Sequence, residues 1–251
     1  MKNLQGKRAL VFGVANKRSI AYGIAKSLRE YGAEIVLSIQ NERLRDKLTS
    51  SCADLGNPEM IICDVADHLQ LDRLFSRLDK IDILIHSLAF ASTQALEKSL
   101  LETQAEDYLE AMKISSFSLI ELTRRAVPIM KNGGSIVTMT YLGAQRVMSG
   151  YGLMGPVKAS LEANVKYLAA ECGPRGIRIN AISAGPIKTL ASSVFPHFNQ
   201  VLELTEAKTP LRKNITLEDV GELACFLASS SSASVTGCVY HLDSGAHILG
   251  A

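Results

Sequence analysis

Short apolar runs that read as strands alternate with longer stretches of helical periodicity from one end of this chain to the other, and few architectures accommodate that order. The strand candidates are Arg8 to Val14, Glu34 to Ile39, Glu59 to Cys63, Ile81 to Ser87, Ser135 to Thr140, Arg178 to Ser183 and Cys238 to Leu242, seven in all. Between them, Ile20, Ile24, Leu28 and Tyr31 recur at helical spacing, as do Leu71, Leu74, Phe75 and Leu78, with charges on the opposite faces. Strand, helix, strand repeated predicts a parallel sheet covered by helices on both sides. Strands buried that way are continuously apolar, which Ala9-Leu10-Val11-Phe12 and Ile83-Leu84-Ile85 satisfy.

The 251 residues suit one domain of this kind, and 47% hydrophobic against 21% charged residues supplies its core. The expectation is an α/β fold: one doubly wound domain with a seven-stranded parallel sheet. Its longest helices are placed at Glu102 to Met130, where Pro128 should terminate or bend the helix, and at Leu153 to Cys172, ended by Gly173-Pro174. The spacing shows no Gly/Ser linker and no internal repeat.

Lysine and arginine number 27 against 25 acidic residues, a net charge of +2 with no run of five like charges. That balance argues against a nucleic-acid or anionic-membrane surface. No stretch approaches the ~20 apolar residues of a membrane span, and Met1 to Arg8 lacks a following apolar export region. A soluble, cytoplasmic protein is expected. Cys52, Cys63, Cys172, Cys225 and Cys238 are scattered and odd in number, with no CxxC pair and no histidine at metal-ligand spacing. They read as buried thiols in a reducing compartment, with no metal site.

The first strand runs into Gly13-Val14-Ala15-Asn16-Lys17-Arg18-Ser19-Ile20-Ala21-Tyr22-Gly23, where a Rossmann dinucleotide fingerprint would sit, although the spacing is not GxGxxG. Gly13 can admit a pyrophosphate close to the backbone, Ser19 can donate to it at a helix N-terminus, and Gly23 can allow close helix-to-strand packing. A plain glycine-containing turn would look similar. At the end of the second strand, where the adenosine ribose is usually read, stands Gln40, neutral and so favouring NADH over NADPH, with Arg43 and Arg45 nearby as groups able to rescue a 2′-phosphate. Asp64 and Val65 can cap the adenine, unless Asp64 is simply a helix N-cap.

Tyr141 follows the fifth strand, Tyr151 lies ten residues on and Lys158 seven beyond, with Thr138 and Thr140 nearby. On one helix seven residues turn ~700°, so Tyr151 and Lys158 would share a face ~10 Å apart along the axis. Lys158 could then favour the Tyr151 phenolate. Pro156 qualifies this, because the helix must either start near Gly152 to Gly155 or kink. A chance pairing on a packing helix is the bland alternative.

With these residues in hand, the chain resembles the short-chain dehydrogenase/reductase superfamily, and within it the enoyl-[acyl-carrier-protein] reductases of bacterial type II fatty acid synthesis. The resemblance spans nearly the whole chain and rests on the Gly13 to Gly23 segment, Tyr141-Leu-Gly-Ala144, the Tyr151-x6-Lys158 pair, the helix Lys158-Ala-Ser-Leu-Glu-Ala-Asn164, and Arg178-Ile-Asn-Ala-Ile-Ser-Ala-Gly-Pro-Ile-Lys-Thr-Leu190. The wider superfamily uses Tyr-x3-Lys, and position 155 here is Gly. The resemblance implies hydride transfer from NADH to the β-carbon of a trans-2-enoyl thioester, with an enoyl-acyl-carrier-protein as substrate and a homotetramer built through the long helices. It implies Tyr151 on the thioester carbonyl, Tyr141 beside the reacting carbons as second catalytic tyrosine, and Lys158 on the nicotinamide ribose. Cofactor contacts would come from Gly13, Ser19, Ile20, Gln40, Asp64, Val65, Leu88, Lys158 and Ile187, Lys188, Thr189, Leu190 and Ala191, with Ala91 facing substrate. The mixed stretch 190–208 would cover the acyl chain, or be a surface helix. Ala89, Gly152, Pro156 and Ser244 depart from the family's usual pattern. A carbonyl reductase for 3-oxoacyl thioesters and a non-catalytic dinucleotide-binding protein are the alternatives.

Overall fold

The computed structural model describes residues 3–189, 192 and 198–250. Seven strands, β1 (Arg8–Phe12), β2 (Glu34–Ile39), β3 (Glu59–Ile62), β4 (Ile83–His86), β5 (Gly134–Thr140), β6 (Ile177–Ala184) and β7 (Val239–Leu242), form one parallel sheet in the order β3-β2-β1-β4-β5-β6-β7. Around it lie α1 (Ile20–Glu30), α2 (Glu42–Ser51), α3 (His68–Ser76), α4 (Thr93–Glu97), α5 (Ala105–Met112), α6 (Ser118–Ala126), α7 (Met154–Cys172), α8 (Phe198–Lys208) and α9 (Leu217–Ala228). Every expected strand is present. β1 stops two residues early because Gly13 turns to φ 99°, outside the extended region.

Side-chain alternation along each strand divides the core in two. On one face Ala9, Val11, Leu37, Ile85 and Ile182 pack under Ile24 and Leu28 of α1 and Val220 and Ala224 of α9. On the other, Leu10, Phe12, Val36, Leu84 and Ile136 pack under Leu71 and Leu74 of α3, Leu119 and Leu122 of α6, and Leu161 and Val165 of α7. Each such side chain contributes roughly 1.5–3 kcal/mol by leaving water, so both faces hold the sheet.

The long helix expected from Glu102 to Met130 is instead interrupted. α5 ends at Met112, a wide π-turn spans Lys113–Phe117, and α6 runs on to a 3-10 turn at Val127–Ile129 around Pro128. Serines account for the wide turn: the Ser118 hydroxyl donates to Ile114 O at 2.6 Å, while Ser115 is engaged with the Phe90 backbone. A hydrophobic pattern cannot report such a turn, because the apolar face continues through it.

Gly23 serves a different contact from the one expected. A Cβ there would lie 2.8 Å from Leu217 Cβ, so the close packing is helix on helix, α1 on α9, rather than helix on strand. Gly221 completes it from the other side, where a Cβ would meet Ser27 Oγ at 2.1 Å. The cysteine expectation fails at one position: Cys52, Cys63, Cys172 and Cys225 are buried thiols, whereas Cys238 is exposed, since it precedes the edge strand β7. Among the described residues no helix is long and apolar enough to cross a membrane.

Chain order along the sheet reverses between β1 and β4, and in sheets of this kind the ligand crevice lies beyond the C-terminal ends of the strands at such a reversal. Its floor is tight. A Cβ on Gly13 would sit 2.1 Å from Ser87 O, so only glycine lets the loop after β1 lie against the loop after β4.

Candidate active site

On the side where the sequence leads one to expect a nucleotide, Ser19 is the N-cap of α1; its Oγ donates to Asn16 O at 2.7 Å and caps none of the helix amides. Ile20 opens the helix, and its first turn carries no acidic residue. Helix dipole and unpaired amides therefore leave a partial positive charge suited to phosphate. At the ends of β2 and β3, Gln40 Nε2 lies 3.4 Å from Asp64 Oδ2, which joins the two residues expected at the adenosine. Asp64 is not a helix cap: its Oδ1 accepts from Ala66 N at 2.9 Å, and Asp67 caps α3 through Leu69 N and Gln70 N. Val65 packs beside it against the α3 side of the core. Arg45, a group able to receive a 2′-phosphate, is paired with Glu42.

Beyond β4, Leu88 packs against the α3, α6 and α7 side of the core. The Ser115 hydroxyl then clamps the loop, accepting from Phe90 N at 2.8 Å and donating to Phe90 O at 3.0 Å. This carries Ala91 into a small apolar cluster with Ala95, Leu153, Met154, Val157 and Tyr151. The expected substrate-facing alanine and the expected catalytic tyrosine thus border one apolar cluster.

Tyr141 and Tyr151 meet edge to face, with ring centroids 4.8 Å apart and planes at 63°. Gly143 makes room for them: a Cβ there would lie 2.3 Å from Tyr151 Cδ1 and 3.1 Å from Tyr141 Cδ1. Gly143→Ala should push the Tyr151 ring aside and lower kcat on the order of 10²-fold with little change in cofactor affinity, read from steady-state kinetics at saturating cofactor.

The shared helical face expected for Tyr151 and Lys158 is not what joins them. α7 starts at Met154, so Tyr151 lies in the preceding turn, and Gly152 at φ 44° breaks the helical phase between them. That left-handed position suits Gly. Pro156 falls in the first turn of α7, where its missing N–H costs nothing.

Lys158 is buried and its Nζ donates to Met139 O at 2.9 Å. Burial pulls it down to about 8, opposed by the Glu162 carboxylate. Glu162 is also buried; it accepts from Thr140 Oγ1 and from Gln145 Nε2, each at 2.9 Å. The expectation that Lys158 would favour the Tyr151 phenolate is overturned. Burial first, then Tyr141 and Glu162, all push the Tyr151 phenol well above its ordinary value. Burial likewise raises Tyr141. Both tyrosines are hydrogen-bond donors at neutral pH.

Behind them His86 is fully buried and held neutral, at about 3, by burial and by the Lys158 charge. Ser118 Oγ donates to Ile114 O, so it accepts from His86 Nε2 at 2.8 Å, and His86 Nδ1 then accepts from Thr138 Oγ1 at 2.7 Å. A neutral histidine thus ties the ends of β4 and β5 to the π-turn.

Of the segment after β6, Ile187 packs on the α1 side of the core, and its carbonyl accepts from Ser192 Oγ at 2.8 Å. Thr189 N donates to the same Ser192 oxygen, and Lys188 Nζ reaches Asn199 Oδ1 at 3.1 Å. Leu190 and Ala191 lie outside the described residues. α8 is present within the stretch expected to cover substrate and buries no side chain, as a surface helix would. Sequence reasoning passed over Gly143, Glu162, His86 and Ser115. Glu162 was within reach, since it stands one helical turn after Lys158.

A family model described as enoyl-(acyl carrier protein) reductase matches residues 13–247. The chain belongs to this family. It is 45% identical over 251 residues to enoyl-[acyl-carrier-protein] reductase [NADH] 1 of Rhizobium meliloti, covering 98% of this chain and 92% of that one. Identity to enoyl-[acyl-carrier-protein] reductase [NADH] FabI of Escherichia coli is 42% over 247 residues, covering 96% and 94%. Among solved structures, the Bacillus cereus enoyl-acyl carrier protein reductase with NADP+ and indole naphthyridinone superposes with a TM-score of 0.97 at 43% identity, covering 100% of both chains. The Anaplasma phagocytophilum enoyl reductase in complex with NAD gives 0.95 at 39% identity, covering 99% of this chain and 96% of that one.

Proposed function

We propose that this chain is an NADH-dependent enoyl-[acyl-carrier-protein] reductase, which saturates the Cα–Cβ bond of a trans-2-enoyl thioester in fatty acid elongation. The observation that carries this reading is the half-buried, edge-to-face Tyr141–Tyr151 pair, with the buried Lys158 and Glu162 beside it, in a chain that matches reductases of this activity over nearly its whole length. The residues at the β1/β4 crevice fit a nicotinamide dinucleotide. Gly13 leaves no side chain there, α1 offers uncapped amides, and Gln40 reads a ribose without charge while Glu42 occupies Arg45, so NADH is preferred to NADPH.

When bound, that cofactor supplies the hydride that goes to the β-carbon. Ser19 and Ile20 hold its pyrophosphate, Gln40, Asp64 and Val65 its adenosine, and Leu88 with Ile187 to Ala191 its nicotinamide. Lys158 holds the nicotinamide ribose with an ammonium whose charge persists at neutral pH. Tyr151 donates its phenolic hydrogen bond to the thioester carbonyl. That bond strengthens as negative charge gathers on the oxygen, so it stabilises the transition state more than the ground state. A phenol raised by burial keeps its proton until that moment, as a donor must. Tyr141 supports the Tyr151 ring edge-on, beside the reacting carbons, and Ala91, which borders the same apolar cluster as Tyr151, faces the substrate. A proton entering at the α-carbon completes the reaction.

In this reading the chain is one reductase domain in which 190–208 covers the acyl chain. The exposed apolar residues Leu109 of α5, Phe117 of the π-turn and Tyr167 of α7 are the surfaces through which four copies associate in the cytoplasm. The test is substrate choice. With NADH a crotonyl thioester should be reduced, an acetoacetyl thioester should not, and NADPH should serve poorly. Consumption of acetoacetyl thioester alone would make it a carbonyl reductase, and silence with both a non-catalytic binder.

A further inference from the structure

The end of the chain folds three metal-ligating side chains into one place, though their sequence spacing matches no metal motif. His241 lies on β7, Asp243 just after it, and His247 in the 3-10 turn Ala246–Ile248. Ser244 and Gly245, at φ 57° and 88°, reverse the chain between them and lay His247 over His241, with ring centroids 4.2 Å apart. One ligand atom from each of the three lies within 4.8 Å of the other two.

Two observations mark this as more than a packed pair. Asp243 is buried and already oriented, since its Oδ1 accepts from Gly245 N at 3.0 Å and its Oδ2 from His247 N at 2.9 Å. His247 Nδ1 faces that carboxylate at 2.9 and 3.1 Å. His241 Nδ1, by contrast, is buried and has no hydrogen-bond partner. A buried imidazole nitrogen that has given up water and gained nothing is costly unless a ligand satisfies it.

We propose that His241, Asp243 and His247 form a binding site for a borderline transition-metal ion of the Zn²⁺ class, with a fourth position open. Two imidazoles and one carboxylate suit zinc and its neighbours, whereas Ca²⁺ and Mg²⁺ prefer all-oxygen shells. The rings are nearly parallel, 12° apart, so their lone pairs run side by side, and ligation at about 2.0–2.1 Å requires one ring to turn. His241 is the ring that turns, because its Nδ1 has no hydrogen bond to lose, while His247 is anchored on Asp243. The ion takes the place of the hydrogen between His247 Nδ1 and the carboxylate: in the neutral imidazole that hydrogen moves to Nε2, and from the imidazolium it leaves to solvent, so that His247 ligates as a neutral imidazole. Bound there, the ion fastens the end of the chain to edge strand β7. The clasp reaches toward the active site through Arg146, whose Nη1 donates to Leu249 O at 2.7 Å.

The test titrates zinc chloride into chelator-stripped, full-length protein by calorimetry, with thermal melts in parallel. One ion per chain should bind saturably and raise the Tm. His241→Phe and His247→Phe should each weaken binding by at least about tenfold and abolish the Tm gain, with reductase turnover in the absence of zinc unchanged. Should a phenylalanine variant fail to fold, as judged by circular dichroism, His241→Asn and His247→Asn carry the same expectation. Absence of saturable binding overturns the proposal. So does binding that survives in either variant, which would assign the ion to other groups, such as His68 and Glu121, paired at 3.0 Å.

Discussion

Tyr151→Phe is expected to lower kcat for crotonyl thioester reduction by on the order of 10²–10³-fold, the cost of removing one donor aimed at a developing oxyanion. NADH affinity, read by fluorescence titration, should stay within about twofold, because the lost interaction is made in the transition state and not with the cofactor. The variant keeps the ring, and so keeps the edge-on contact with Tyr141 and the apolar cluster around Ala91 and Leu153. Only the hydroxyl goes. A fall in cofactor affinity that matched the fall in kcat would move Tyr151 from catalysis to cofactor binding.

Lys158→Met separates function from stability. Methionine fills much the same volume, so the loss is the ammonium and its hydrogen bond, and NADH should bind roughly 10- to 100-fold more weakly. Stability should move the other way. The folded chain holds Lys158 at about 8, below the ordinary lysine value, so keeping it charged at pH 7 costs the folded state about 3 kcal/mol. Removing the charge recovers much of that, offset by the Met139 carbonyl left without its donor, and the Tm should hold or rise.

A pH dependence follows with the same sign. Below about 8 the wild-type ammonium is intact and NADH affinity holds; above it the charge is lost and affinity falls, a limb that Lys158→Met should lack. Stability of the wild type moves oppositely over that range, because the unfolded lysine still carries its proton and the folded one does not.

The alternation of apolar runs and amphipathic stretches made the sheet legible to within two residues at every strand end, the β1 end being set by the turn at Gly13. The π-turn at Lys113–Phe117 was not legible, since it depends on where the Ser115 and Ser118 hydroxyls find partners in three dimensions. Tyr141, Tyr151, Lys158 and Ala91 were proposed from motifs, but the way the two tyrosine rings pack was not legible. Gly143 yields space for a ring that arrives from eight residues away, and nothing in its sequence neighbourhood says so. The charge argument failed for a related reason. Spacing put Lys158 near Tyr151, but burial decides the titration of both groups, and burial belongs to the assembled fold.

The most direct measurement follows the hydride itself. Crotonyl thioester is incubated with this protein and NADH deuterated at the transferring position of the nicotinamide, and the product is read by mass spectrometry and NMR. The account predicts a butyryl thioester with one deuterium at the β-carbon and a solvent-derived hydrogen at the α-carbon. Deuterium at the α-carbon or in a hydroxylated product, or cofactor and thioester both unchanged, would contradict it.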